Sequence, residues 1–239
     1  MSSALQALTL LLFLVVSTNS LAAASYLDAS LPSEKRVELL MKEMTLDEKI
    51  GQMCQFVGEA TDIDFDSKDT KSNYTLALGA RAGLIKEGKI GSFLKVSTYQ
   101  EANILQSLAA ESRLKIPLLI ATDAIHGHGM YMGPTTIYAT QIGLAASFEP
   151  EMAELMAEYT ATEMRATGFH WAYSPNIEVV RDARWGRIGE TFGEDPYLVT
   201  EMGNAMVRGY QGKDFSSSTN VLASSKHFVG GGIPYNGVN

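Results

Sequence analysis

Apolar residues follow two different periods along the chain, and the period changes repeatedly between residues 88 and 228. Short, nearly continuous apolar runs bounded by glycine or polar residues are typical of buried strands, whereas apolar residues three and four apart are typical of a helix face. The predicted strands are 88–96, 116–125, 169–179 and 220–228, and the predicted helices are 99–114, 149–167 and 197–210. This alternation predicts an α/β fold with a parallel sheet covered by helices.

Two architectures fit the alternation, a doubly wound open sheet and a (β/α)8 barrel. No glycine-rich phosphate-binding fingerprint follows any of the predicted strands, which counts against a nucleotide-binding doubly wound sheet. Before the alternating region, the stretch 31–53 predicts two short helices that meet at Thr45. The polar and acidic stretch 58–76 has no helical or strand period, and we expect a surface loop there.

The first 24 residues differ from the rest of the chain. The apolar run ALTLLLFLVV is too short to span a bilayer, and LAAAS follows it after a polar spacer. This pattern predicts a signal peptide, residues 1–24, cleaved near Ala24, and a secreted protein that leaves the membrane. An uncleaved anchor is the alternative, because no Lys or Arg precedes the apolar run. The sequon at Asn73 agrees with secretion.

Composition indicates a folded protein and argues against a nucleic-acid-binding one. The chain is 46% hydrophobic, which is normal for a packed core, and its formal net charge is −8. No basic run is longer than two residues, so we expect no nucleic-acid partner. The single cysteine, Cys54, allows no intrachain disulfide and is interpreted as a small buried apolar residue.

Polar residues gather where the predicted strands end. They are Asp123 and His126 after the second strand, Asn176 and Glu178 after the third, and Lys226 and His227 after the fourth. In a (β/α)8 barrel the carboxyl ends of the strands form the face on which active sites are built. We therefore expect these side chains to converge, although they are about fifty residues apart.

Asp123 follows its strand directly. A carboxylate in this position can accept two hydrogen bonds from neighbouring hydroxyls of a sugar, but it can equally cap the next loop or pair with an arginine. Asp123 with His126 and His128 also allows a metal site, because imidazole and carboxylate are common zinc ligands. A metal-dependent barrel hydrolase is therefore a second alternative.

The stretch 179–196, VVRDARWGRIGETFGEDP, is rich in charges of both signs. We expect a loop held by internal ion pairs, with one planar guanidinium left to contact a ligand. Its arginines are Arg181, Arg184 and Arg187, and its acidic residues are Asp182, Glu190, Glu194 and Asp195.

Lys226 and His227 are adjacent hydrogen-bonding residues followed by three glycines after Val229. Consecutive residues of a regular strand point to opposite faces, so both can reach one pocket only where the backbone is distorted. The alternative is an exposed lysine beside a core histidine.

Taken together, these motifs resemble glycoside hydrolase family 3, the β-glucosidase and exo-glucanase type. The matching pieces are LLMKEMTLDEKIGQM, IPLLIATDAIHGHG, the long stretch from QIGLAASFEP to GETFGEDP, and SSKHFVGGG, in the order of the family. The resemblance implies a (β/α)8 first domain, a second α/β sandwich domain and retaining hydrolysis of β-linked glucosides, with no cofactor or metal.

The resemblance also implies the roles of particular residues. Asp123 looks like the aspartate that binds sugar hydroxyls at the nonreducing end, and Arg187 looks like the arginine contact, with Arg184 as the alternative. Lys226 and His227 look like the family's Lys-His pair, which typically sits on a cis peptide. These four residues are the predicted substrate-binding set, and the expected partner is a β-linked glucoside or oligosaccharide.

Retaining glycosidases need two carboxyl groups roughly 5 Å apart. In the family, the nucleophile is an aspartate in a Ser-Asp-Trp type stretch, and the acid/base usually comes from the second domain. The sequence up to Asn239 contains neither the stretch nor the second domain. Glu178, Glu190 and Glu194 are candidates by residue type only. We therefore expect residues 25–239 to be the amino-terminal part of a longer enzyme, with an incomplete barrel and no activity alone. The first alternative is a truncated product that binds sugar without turnover or has no function.

Overall fold

The structure is a computed structural model that describes residues 25–58, 67–130, 132–214, 216–228 and 230–237. The predicted signal peptide lies outside the described residues. The described residues fall into two compact units that divide between Thr45 and Leu46. In the first unit, helix α1 spans Ser33–Glu43. No helix in the part of the chain that the structure describes is both long and apolar enough to cross a membrane.

The second unit contains a five-stranded sheet and seven α-helices among the described residues. The strands are β1 (Gln55–Val57), β2 (Ser92–Leu94), β3 (Leu119–Thr122), β4 (Trp171–Ala172) and β5 (Leu222–Ala223). The helices are α2 (Leu46–Gly51), α3 (Thr70–Leu78), α4 (Ala80–Lys86), α5 (Tyr99–Ala109), α6 (Gln141–Ala145), α7 (Pro150–Ala166) and α8 (Pro196–Gln211). Short 3-10 turns lie at His128–Met130 and Ile188–Glu190.

The order of the strands distinguishes the two predicted architectures. The strands lie side by side in chain order, β1-β2-β3-β4-β5, and every pairing is parallel. A doubly wound sheet reverses its strand order at a switch point, whereas a (β/α)8 barrel adds each strand beside the previous one. The five strands therefore have the arrangement of part of a barrel.

The helix-facing side of the sheet is mostly apolar. Phe93 of β2 and Ile120 of β3 are register partners and are completely buried. They belong to one hydrophobic cluster with Leu105 of α5, Met164 of α7 and Met206 of α8. Helices cover the side chains that point outward from the sheet, which explains why the strand sequences are nearly continuously apolar.

The opposite side of the sheet is partly exposed. Val57, Leu119 and Leu222 all point to this side and are 49%, 39% and 37% exposed. In a closed barrel the corresponding side is the packed interior. Among the described strands, β1 and β5 form the two edges, so the sheet is an open part of a barrel wall.

Two sequence predictions are wrong in detail. The strand β1 was not predicted; it has only three residues, and just one of them, Phe56, packs toward the core. The predicted loop 58–76 contains helix α3 from Thr70 onward. Helix α3 buries Thr70, Tyr74 and Leu78, four residues apart, and this spacing is easily missed because one member lies beyond the polar stretch.

The remaining predicted elements are observed, but the four predicted strands are shorter than expected, with two to four residues each. The helices predicted at 149–167 and 197–210 are α7 and α8, and Gly168 follows α7 with φ +87°. These two long helices pack so closely that a Cβ atom on Gly209 would lie 2.2 Å from the carbonyl oxygen of Glu154. The position therefore requires glycine.

Two buried polar contacts fix the loops that follow β3 and β4. The hydroxyl of Tyr210 in α8 donates a hydrogen bond of 2.5 Å to the carbonyl oxygen of Ala124, the residue after Asp123. The side-chain amide of Gln141 in α6 donates to the carbonyl oxygen of Asn176 and accepts from its N–H, both at 3.2 Å. Because these groups are buried, the bonds hold the strand ends in place.

Candidate functional site

The pairing of β4 and β5 continues past the ends of both strands. Lys226 N–H donates to the carbonyl oxygen of Pro175 at 2.9 Å, and Ile177 N–H donates to the carbonyl oxygen of Lys226 at 2.8 Å. The residues after the two strands are thereby held side by side, with Asn176 bridged to Lys226. The predicted convergence of polar side chains at this edge of the sheet is observed for Asp123, Asn176 and Lys226 and for the pair Glu178 and His227, whereas no described contact joins His126 to them.

The first pair in the site joins Lys226 to Asp123. The ammonium group of Lys226 donates a hydrogen bond to Oδ1 of Asp123 across 103 residues of sequence. The side chains are only 14% and 19% exposed, so the pair is largely removed from water. A buried ion pair of this kind is retained where its geometry is used, because desolvation offsets much of its attraction.

The second pair joins His227 to Glu178. Oε1 of Glu178 accepts a hydrogen bond of 2.8 Å from the backbone N–H of His227 and a further bond at ring atom Nδ1. The Glu178 side chain is 3% exposed, whereas the imidazole is 46% exposed. The peptide bond between Lys226 and His227 is cis, as the family resemblance implies.

The third group is built on Arg187. Its Nε and Nη2 atoms donate to the two oxygens of Glu190 at 3.0 and 2.6 Å, and Glu190 also accepts from Asn176 Nδ2 at 2.8 Å. The bond to Glu190, together with the charges of Glu178 and Asp123, raises the pKa of Arg187. In turn, Arg187 lowers the pKa of Glu190.

The charges of the site therefore act on one another. Asp123 and Glu178 both contribute to the raised pKa of Arg187, and Lys226 contributes to the lowered pKa of Glu190. Contacts join the same groups: Asn176 is bridged to Lys226 and donates to Glu190, the partner of Arg187, so we call them one electrostatic cluster at the carboxyl ends of β3, β4 and β5.

The other charged groups of the 179–196 loop do not belong to this cluster. Arg184 forms an ion pair of 2.6 Å with Asp182, and its side chain is 68% exposed. Glu194 is exposed, and Asp195 caps α8 by accepting from the N–H of Tyr197 at 2.8 Å. The predicted internal ion pairs are confirmed by Arg184 with Asp182 and by Arg187 with Glu190.

The three residues considered for a metal site do not converge. His128 Nε2 lies 2.8 Å from the hydroxyl of Thr167, and its ring packs edge-on against Phe169 with centroids 4.7 Å apart. Asp123 is instead engaged by Lys226. No group of three His, Cys, Asp or Glu residues is placed to hold a metal ion within the described ranges. The geometry does not support a metal-dependent hydrolase that uses Asp123, His126 and His128.

Sequence reasoning missed two supporting roles in the site. Gln141 lies in helix α6, outside the segments that carry the cluster. Nothing in its local sequence indicates that its amide holds the backbone of Asn176. Glu178 was recognised as polar and as a candidate carboxylate, but not as the partner of His227. Cys54 was expected to be buried and is only half-buried.

The family is settled by comparison with known proteins. The sequence profile described as "Glycosyl hydrolase family 3 N terminal domain" matches residues 45–236. The chain belongs to glycosyl hydrolase family 3. The strand order is consistent with the barrel-like amino-terminal domain of family 3, so the predicted α/β, TIM-barrel-like fold is confirmed.

Several family 3 proteins are similar to this chain. The periplasmic β-glucosidase of Salmonella typhimurium is 36% identical over 206 residues, which cover 84% of this chain and 24% of that protein. A β-xylosidase of Formosa agariphila is 41% identical over 150 residues, covering 59% of this chain and 21% of that protein. A mutant β-glucosidase from Listeria innocua, solved in complex with laminaribiose, has a TM-score of 0.67 and 34% identity, covering 83% of this chain and 27% of that one. The chain spans about a quarter of the length of these family 3 relatives.

The buried position of His128 predicts a pH dependence of stability. Burial lowers the pKa of His128 from 6.5 to about 4, although the charge of Glu163 acts in the opposite direction. The unfolded chain therefore binds a proton at this position before the folded chain does. The resulting contribution to the free energy of unfolding is complete above pH 6.5 and is lost as the pH falls through 6.5 toward 4.

We expect His128→Gln to reduce the loss of stability between pH 7 and pH 5 without abolishing it, because burial also lowers the pKa of His170 to about 4. Urea unfolding of the wild type and the variant at both pH values measures the effect. An unchanged pH dependence in the variant would show that His128 is not held neutral by burial.

Proposed function

We propose that these residues form the sugar-binding part of a secreted, retaining β-glucosidase that releases terminal glucose from β-glucans or cello-oligosaccharides. The observation that carries the proposal is the convergence of Asp123, Lys226, His227 and Arg187 in one electrostatic cluster of a family 3 chain. The relatives support the choice of sugar, since one of them was solved with laminaribiose.

Asp123 and Lys226 would bind neighbouring hydroxyls of the terminal glucose. Oδ1 of Asp123 is occupied by Lys226, and the described contacts leave Oδ2 to accept from a hydroxyl. A lysine ammonium has three donors, of which one is used on Asp123. A fixed acceptor and a fixed donor side by side match two adjacent hydroxyls, and each charge-assisted bond contributes about 1.5–3 kcal/mol.

Arg187 would add a second donor to the same sugar. Its bonds to Glu190 use Nε and Nη2, and Nη1 has no hydrogen bond within the described residues. The bidentate contact with Glu190 holds the plane of the guanidinium, so the free edge keeps one direction. His227 would complete the set through the exposed edge of its ring.

We assign the residues of this cluster to binding and not to bond cleavage. Asp123, Glu178 and Glu190 are each already bonded to a cationic or imidazole partner, which suits orientation better than nucleophilic attack. Retaining hydrolysis needs a nucleophile and an acid/base about 5 Å apart. We propose that other parts of the longer family 3 protein supply both groups, and that residues 25–239 contribute the amino-terminal portion of its barrel.

Export of the protein is a separate part of the proposal. A cleaved signal at residues 1–24 agrees with the name of the Salmonella typhimurium relative, which is periplasmic. We expect amino-terminal sequencing of the protein recovered outside the cytoplasm to begin close to Ser25. Recovery of a chain that still carries the apolar run would contradict cleavage and favour an uncleaved anchor.

The binding assignment can be tested by mutation in the full natural protein. We expect Asp123→Ala and Lys226→Ala each to lower kcat/KM on an aryl β-glucoside by about 10²-fold or more, because each removes a charged hydrogen bond that positions the sugar. Lys213→Ala is the matched control, since Lys213 is exposed after α8, on the amino-terminal side of β5.

Near wild-type kcat/KM in either site variant would show that the assignment is wrong. Comparison of aryl β-glucoside with aryl β-xyloside tests the choice of sugar, because one relative is a β-xylosidase. Titration of this chain alone with glucose separates the alternatives: we expect binding without hydrolysis, whereas no binding favours a nonfunctional product.

A further inference from the structure

The carboxylate of Glu178 holds His227 at two points. One oxygen, Oε1, accepts from the backbone N–H of His227 at 2.8 Å and is also bonded at ring atom Nδ1. Two contacts on a single residue fix both the backbone position and the direction of the ring. This is a tighter arrangement than an ordinary ion pair, in which only the side-chain ends meet.

The contact also decides which ring nitrogen carries the proton. An ionised carboxylate can only accept hydrogen bonds, so Nδ1 must be the donor. His227 has no other hydrogen bond among the described residues, and its side chain is 46% exposed, which leaves the Nε2 edge open. When the ring is neutral, Nε2 is then the nitrogen left to accept a hydrogen bond.

The glycine run that follows His227 packs against Glu178. A Cβ atom on Gly231 would lie 3.0 Å from Cγ and Oε1 of Glu178, and one on Gly232 would lie 2.9 Å from its Cβ. Gly232 also has φ +79°, and its carbonyl oxygen accepts from the N–H of Arg181 at 3.1 Å. Glycine is therefore required for the segment to close over the carboxylate.

This closure keeps Glu178 out of water. Its side chain is 3% exposed, and Oε2 is buried without a hydrogen-bond partner in the part of the chain that the structure describes. A carboxylate buried in this way interacts strongly with the one group that it does contact. It is also poorly placed to attack a sugar or to exchange protons with one.

We infer that Glu178 is the positioning residue of His227: it fixes the ring direction and the Nδ1–H tautomer, and so sets which hydrogen bond His227 offers to a sugar hydroxyl. The inference rests on the proposed sugar-binding function. Metal-bound histidines are oriented by outer carboxylates in the same manner, and here the same device would act on a ring that faces a neutral ligand.

The tautomer can be observed directly by NMR of the ring nitrogens. The chain has four histidines, so a His227→Gln variant assigns the His227 signals. We expect wild-type Nδ1 to be protonated at pH 7.5. Glu178→Leu fills the buried space without an acceptor, and we expect the Nδ1–H signal to be lost; Glu178→Ala serves if the leucine variant does not fold. Glu178→Gln keeps an acceptor oxygen of the same shape and should retain most of the signal.

Glucose titration of the same samples provides the functional readout. We expect removal of the acceptor to weaken glucose binding by up to about tenfold, the upper value for one neutral hydrogen bond, and Glu178→Gln to recover most of it. Glu154→Gln is the matched control, because Glu154 forms an exposed pair with Arg208 at 2.9 Å. Thermal unfolding establishes that each variant is folded.

Three outcomes distinguish the positioning role of Glu178 from the proposed sugar-binding function. An unchanged His227 signal in the leucine or alanine variant overturns the positioning role, as does unchanged glucose affinity in a variant whose tautomer has changed. A wild-type chain that has the Nδ1–H signal but binds no glucose overturns sugar binding by this chain and favours the nonfunctional product, while the tautomer measurements still decide whether Glu178 orients His227.

Discussion

The site depends on the parallel alignment of neighbouring strands in chain order. Because β3, β4 and β5 run in one direction, their carboxyl ends meet at one edge, and residues far apart in sequence become neighbours. The Lys226–Asp123 ion pair is the direct result, since each residue follows its own strand. Buried contacts from α6 and α8 keep this edge fixed, through Gln141 and Tyr210.

Burial of charge explains the rest of the arrangement. A carboxylate removed from water must be paired or bonded, and each of the three acidic residues of the cluster has its own partner. Asp123 pairs with Lys226, Glu178 with His227 and Glu190 with Arg187. The side chains of Lys226, His227 and Arg187 are thereby held in fixed directions, and such preorganisation reduces the entropy that a binding site loses.

Much of the fold could be predicted from the sequence, because the apolar runs around the strands and the amphipathic helices are easily recognised. The strand-end rule also brought Asp123, Lys226 and His227 to one edge without any structure. Elements without a clear apolar pattern could not be predicted in this way: only one residue of β1 packs toward the core, and α3 buries only three side chains. In both cases contacts with the rest of the fold, rather than local sequence, decide the structure.

Pairings between side chains were the least predictable part of the site. Nothing in the sequence distinguishes Glu178 from the other acidic residues as the partner of His227, which lies 49 positions away. The glycines after His227 indicate a close approach of some kind, but only the structure identifies the Glu178 carboxylate as the group approached. Likewise, His128 is near Asp123 in sequence, yet it lies in the 3-10 turn His128–Met130 and its ring contacts the hydroxyl of Thr167.

We propose that the cluster at the ends of β3, β4 and β5 binds a terminal glucose, and a crystal structure of the full natural protein with glucose would show where the sugar lies. We expect glucose hydroxyls within hydrogen-bond distance of the Asp123 carboxylate, the Lys226 ammonium and Nε2 of His227. Glucose bound at another place, with these three side chains still contacting only protein groups, would contradict it.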